Sequence, residues 1–140
     1  MTALDEVASA YAAAAYAKDD AAMLAFYAPN VLLFDMWETW SYEGREAWAG
    51  VVKNWFGSLG SERVKVSFKP IFQKQIGDCA VWCATVRFAG ESAEGQELRS
   101  LEERLTWTLQ RIDGRWLIMH QHSSAPASFE TQKVRLSSKS

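Results

Sequence analysis

The spacing of apolar residues along this chain changes to a period of two from Glu62 onward, and that change limits what it can fold into. Leu4, Val7, Ala8, Tyr11 and Ala15 recur at the intervals of one helix face. Thr2, three residues before Asp5, marks the start of this first helix. Lys18-Asp19-Asp20 breaks it and caps a second helix, with Met23, Phe26 and Tyr27 on its apolar side and Pro29 as its stop. Val31 to Met36 is too short for a helix and reads as a strand. Trp48, Val51, Val52, Trp55 and Phe56 return to helical spacing between Gly44 and Gly57.

From Glu62 the period is two. Val64, Val66 and Phe68 alternate with Lys65, Ser67 and Lys69. Gly77-Asp78 turns the chain into a strand over 79–89, and Gly90 and Gly95 lead to another over 98–111. Asp113-Gly114 is a tight-hairpin signal, and the last strand runs over 115–124. Helices followed by strands predict an α+β fold, with the helices on one face of an antiparallel sheet. The length of 140 residues fits a single domain over 1–126, followed by a polar tail over 127–140. Phe129, Val134 and Leu136 are the residues that could pin part of that tail.

Charge excludes several function classes. A net charge of -2 gives no footing for nucleic acid or an anionic membrane. No apolar run reaches the ~20 residues of a membrane span. Asp5 and Glu6 speak against a secretory leader, so a cytoplasmic location is expected. Cys79 and Cys83 on one strand would lie ~13 Å apart, too far for a disulfide, and no second pair completes a zinc site. No phosphate loop, nucleophile elbow or dinucleotide fingerprint is present, so no cofactor is expected.

Strand faces give further expectations. On 98–111 one face carries Leu101, Leu105, Trp107 and Leu109, and the other Glu102, Arg104, Thr106 and Thr108. The last strand is apolar on both faces at its start: Leu117 and Met119 on one, Trp116 and Ile118 on the other. That predicts a homodimer joined through the face with Trp116 and Ile118. His120 and His122 share this parity, ~6.7 Å apart, and read as interface histidines, with metal ligation or catalysis as the alternatives.

The hairpin RLTWTLQRIDGRWLIMHQHSSAP (Arg104 to Pro126) resembles the final hairpin of SnoaL-like polyketide cyclase relatives. It also resembles the association domain of calcium/calmodulin-dependent protein kinase. YAAAAYAKDDAAMLAFYAPNVLLFD (Tyr11 to Asp35) is similar to the matching stretch of ketosteroid isomerases. YEGREAW (Tyr42 to Trp48) looks like a strand-to-helix junction of the nuclear transport factor 2-like superfamily to which all of these belong. The resemblance implies a cone-shaped, cystatin-like α+β fold, with a curved sheet enclosing a pocket and dimerising through its outer face. It places Tyr11 where ketosteroid isomerases have an oxyanion-binding tyrosine, and Asp35 where they have a general base. Their third acid has no counterpart at Leu105, Trp107 or Leu109. Glu102 and Glu103 are not read as a catalytic pair, because strand neighbours point to opposite faces.

Two functions remain open at this level. One is acid/base chemistry on a small apolar carbonyl compound, with Asp35 and Tyr11 as working groups and Tyr27, Trp37, Trp55, Trp107 and Met119 as walls. The other is a non-catalytic assembly or ligand-sensing domain.

Overall fold

A computed structural model describes residues 2–139. The order is α1 (Ala3–Ala17), α2 (Asp20–Leu24), β1 (Tyr27–Phe34), β2 (Tyr42–Glu43), α3 (Arg45–Gly57), β3 (Arg63–Ile76), β4 (Cys79–Glu91), β5 (Glu97–Ile112) and β6 (Arg115–Ser124). One curved, open sheet has the order β2-β1-β6-β5-β4-β3. The neighbouring strands pair antiparallel, except β1 and β6, which run parallel. Sequence alternation cannot show that exception, because it reports which face a residue takes and not strand direction.

Local chemistry sets the helix ends. The Thr2 hydroxyl accepts from the Asp5 amide at 3.1 Å, and the Asp5 carboxylate accepts from the Thr2 amide at 3.2 Å, closing a capping box. The other oxygen of Asp5 accepts the Trp82 indole N–H at 3.0 Å, which fixes α1 to β4. Asp19 caps α2. That helix ends at Leu24, well before Pro29. Pro29 instead lies in β1, within the stretch where the β1–β6 register slips. A proline supplies no ladder N–H, so an irregular stretch suits it.

The core is the inward face of β4, β5 and β6 against α1, α2 and α3. Trp82 faces Trp107 across the ladder, and their rings stack at 5.0 Å. Tyr11, Met23, Tyr27, Val31, Leu33, Val52, Val64 and Leu109 belong to the same cluster. Asp113 and Gly114 both adopt positive φ, which lets a two-residue hairpin match the strand twist.

The last strand corrects the face assignment. Leu109 pairs with Ile118 and Trp107 pairs with Gln121, with a register shift between. Two residues, Met119 and His120, therefore occupy the step that Thr108 occupies on β5, which is a β-bulge. The extra residue reverses the parity. Ile118 is fully buried and Trp116 packs against the core, so neither belongs to an outer dimer face. His120 and His122 do lie on the outer face, opposite Thr108 and Thr106, with the Phe34 ring edge-on to both.

Beyond β6 the tail turns back. Ala127 bridges Val134, and the Glu102 amide donates to the Leu136 carbonyl at 2.8 Å. The Glu102 carboxylate accepts from the Ser138 amide and hydroxyl. This segment covers the edge of β5 where β6 has ended, and such a strand edge would otherwise be open to pairing. Val134 and Leu136 sit in the pinned stretch, whereas Phe129 is almost fully exposed.

Candidate functional site

A cavity of about 460 Å³ lies between the helices and the sheet. Tyr11 reaches it from α1; Asp35, Trp37 and Glu38 from the loop after β1; and Tyr42 from β2. Trp48, Val51 and Trp55 of α3 form one wall. Val64, Phe88, Leu101 and Glu103 form the sheet side. The exposed residues Trp37, Glu38 and Arg99 mark its mouth. This volume falls within the usual range for small-molecule sites, as does a mostly apolar lining with a few polar groups.

Asp35 and Tyr11, the two sequence-derived working groups, line this one cavity, and so do the expected walls Trp37 and Trp55. Tyr27, Trp107 and Met119 do not line it. Tyr27 and Trp107 are fully buried behind it, and both donate to Gln121 Oε1, at 2.6 and 2.9 Å. Met119 lies at the bulge of β6.

Asp35 follows the last residue of β1, so the sheet aims it while its backbone is free to turn. It is half-buried. Its Oδ1 accepts from the Ser123 hydroxyl at 3.1 Å and its Oδ2 from the Trp37 amide at 3.4 Å. The Ser123 oxygen in turn accepts from the Met36 amide at 3.1 Å. Burial raises the Asp35 pKa above the ordinary aspartate value, and the two donors only partly offset this.

Tyr11 is buried against Phe26, Phe68 and Trp107. Burial pushes its phenol far above the usual value, and the charges of Glu103 and Asp35 add to that, while the neighbouring Tyr27 hydroxyl lowers it. Tyr11 is therefore a neutral hydrogen-bond donor throughout the physiological range. The Trp48 indole nitrogen is close enough to Tyr27 to influence its titration, yet it forms no hydrogen bond among the described residues.

Glu103 is the residue that sequence reasoning missed. It pairs with Val86, faces inward and is only 7% exposed. Its Oε2 accepts the Trp37 indole N–H at 3.1 Å. Burial raises its pKa and the nearby Asp35 charge adds to that, while the Trp37 indole and the Ser123 hydroxyl partly offset the rise. The signal was present in the alternation. Position 103 has the parity of Leu101, Leu105, Trp107 and Leu109, so the inward face of β5 does carry an acid. The separation of Glu102 from Glu103 holds, with Glu102 facing the tail and Glu103 inside.

The histidines are remote from this cavity. His120 Nδ1 bonds the Leu32 carbonyl at 2.7 Å. Among the described residues no three His, Cys, Asp or Glu side chains come together in a way that could hold a metal. None of the helices described is long and apolar enough to cross a membrane.

Known proteins agree with this architecture. The SnoaL-like domain family matches residues 4–128. This chain is a SnoaL-like domain. Its fold is that of nuclear transport factor 2-like and cystatin-like proteins. An NTF2-like protein of unknown function from Pseudomonas putida KT2440 superposes with a TM-score of 0.79 at 22% identity, covering 98% of this chain and 94% of that one. A putative calcium/calmodulin dependent protein kinase II association domain from Xanthomonas campestris gives 0.70 at 22% identity, covering 88% and 85%. A putative aromatic ring hydroxylase from Novosphingobium aromaticivorans gives 0.68 at 16% identity, covering 87% and 85%. No protein of curated function matches the sequence. These likenesses establish the shared fold, and a fold by itself does not fix an activity.

Proposed function

We propose that this SnoaL-like domain binds a small, largely apolar carbonyl compound in the cavity and moves a proton on it. Asp35 takes a proton from the carbon next to the carbonyl. The electron pair moves onto the carbonyl oxygen, and the Tyr11 hydroxyl stabilises the resulting enolate by hydrogen bonding. The observation that carries this reading is the placement of a half-buried carboxyl and a buried neutral phenol on one apolar cavity. A carboxyl with a raised pKa is a stronger base once ionised, and a phenol that never ionises donates without competing for the proton.

The test is hydrogen exchange. A panel of aryl ketones in heavy water, followed by proton NMR, should show enzyme-dependent loss of the signals next to the carbonyl. Asp35→Asn should abolish the exchange, and Tyr11→Phe should slow it. Exchange that persists in Asp35→Asn would remove Asp35 from the mechanism.

The second reading, an assembly domain, draws on the likeness to the putative kinase association domain. The open cavity favours the first, since an assembly module does not need a ligand-sized space. Both readings include a homodimer joined through the outer sheet face. Phe34, Val81, Cys83, Thr106 and Thr108 form the middle of that face, beside His120 and His122. The bulge at Met119 places the histidines there and removes Ile118.

A further inference from the structure

The proton-transfer reading uses one carboxyl, yet the cavity lining includes a second that shares Trp37 with it. Glu103, Gln121 and Ser123 are the buried polar side chains among the described residues, all on inward positions of β5 and β6. Gln121 is engaged by Tyr27 and Trp107. Ser123 pairs with Leu105, so it is the diagonal neighbour of Glu103 on the same face, and its hydroxyl donates to Asp35. Trp37 spans the same two acids, with its amide on Asp35 and its indole N–H on Glu103.

Among the described residues no cation forms an ion pair with either acid. The ion pairs among the described residues are Arg87–Glu97, Arg99–Glu62 and Arg111–Asp78. Arg99 reaches the mouth of the cavity but is engaged by Glu62 there. The other titratable groups facing the cavity are Tyr11 from α1, Glu38 from the loop after β1 and Tyr42 from β2, none of them cationic. Two close carboxylates in a poorly solvated space resist ionising together. Hydrogen bonding decides which one ionises. Asp35 accepts the Ser123 O–H and the Trp37 amide directly, whereas Glu103 accepts the Trp37 indole N–H and is influenced more weakly by the neighbouring Ser123 hydroxyl. When the pair holds one proton, the half-buried, doubly bonded Asp35 carries the charge and the more deeply buried Glu103 the proton.

We propose that Asp35 and Glu103 work as a pair holding one proton, with Glu103 as the proton donor, and that the reaction they serve is removal of water from a β-hydroxy carbonyl compound. This rests on Asp35 acting as proton acceptor. The C–H bond beside the carbonyl breaks, its proton passes to Asp35, and its electrons form the enolate held by Tyr11. The enolate then collapses to the conjugated double bond as the carbon–oxygen bond at the β position breaks. Glu103 gives its proton to the departing hydroxyl, which leaves as water. The pair ends with the proton on Asp35 and the charge on Glu103, and the Ser123 hydroxyl lies where it can relay the proton back. Atoms and charge balance with no co-reactant. A simple proton shift would need only Asp35, which can return the proton it took. Elimination needs a second, loaded acid.

The probe is the aldol of benzaldehyde and acetone, whose enone, benzalacetone, absorbs in the near ultraviolet. In heavy water the protein should both exchange the hydrogens beside the carbonyl and release the enone. Glu103→Gln, an isosteric change, should reduce enone release at least about 100-fold more than it reduces exchange. Asp35→Asn should remove both. Carbon-13 NMR titration of the side-chain carboxyls should show Glu103 losing its proton at higher pH than Asp35, and Asp35→Asn should bring the Glu103 titration down. Equal losses of exchange and enone in Glu103→Gln, or Glu103 titrating below Asp35, would overturn the pair while leaving Asp35 as a base. Absence of exchange in the unaltered protein would overturn the Asp35 reading and the elimination with it.

Discussion

The Tyr27 hydroxyl donates to Gln121 Oε1 at 2.6 Å, and that one oxygen also takes the Trp107 indole N–H at 2.9 Å. A single buried acceptor therefore secures β1, β5 and β6 to one another behind the cavity. It also explains why Tyr27 and Trp107 are not walls. Their polar ends turn to Gln121, because a buried N–H or O–H without an acceptor is costly.

Gln121→Leu should therefore be among the most damaging near-isosteric changes. It leaves two buried donors without a partner, at about 1–3 kcal/mol each. Tyr27→Phe removes one donor together with its need for an acceptor and should cost about 1 kcal/mol. Urea unfolding followed by tryptophan fluorescence would rank the two. Equal losses would mean that Gln121 is not the shared acceptor.

Ile118 should behave as a core residue and not as an interface residue. Ile118→Ala should destabilise the monomer fold by about 2–5 kcal/mol, and Ile118→Val by about 0.5–1.5 kcal/mol. Ile118→Glu should yield little folded protein. A folded Ile118→Glu variant whose only defect is weaker association would contradict the bulge at Met119.

The cavity acids should lower stability at neutral pH. Both Asp35 and Glu103 have pKa values raised in the folded protein, chiefly by burial. A raised carboxyl pKa means that the folded state holds its proton more tightly than the unfolded state. The associated stability is present below the unfolded pKa and is lost as pH rises through the folded pKa. Glu103→Gln should therefore raise the melting temperature at pH values above the folded pKa, and the gain should shrink as the buffer is acidified. Thermal melts of both proteins across acidic and neutral buffers would check this. A gain that grows with acid would have the wrong sign.

The outer face should be where two copies meet. Light scattering at micromolar concentration is expected to give the mass of a dimer. Phe34→Glu or Thr106→Glu should shift it towards the monomer with little change in cavity-ligand binding. Phe34 is 37% exposed in the single chain and touches both histidines, so a charge there is tolerated alone but not in a packed interface. A monomer mass for the unaltered protein would remove the homodimer.

Much of this protein is present in its one-dimensional pattern. The spacing of Leu4, Val7, Ala8, Tyr11 and Ala15, the alternation after Glu62 and the Asp113-Gly114 turn each act over a few residues. Helical and strand periods are local geometry, so local sequence determines the elements and the class of fold. The inward position of Glu103 was fixed by the same alternation, because parity on a regular strand needs no partner. The β-bulge is different. It exists because β6 carries one more residue than β5 between two pairings, and only the pairing of two distant strands reveals it. That extra residue sends Ile118 inward and His120 and His122 outward. The company of Asp35 was also decided in three dimensions. Ser123 lies 88 residues away, and Glu103, on a different strand, is joined to Asp35 through Trp37. Their pKa shifts follow from burial and mutual charge, which arise when the helices close over the sheet and exclude water.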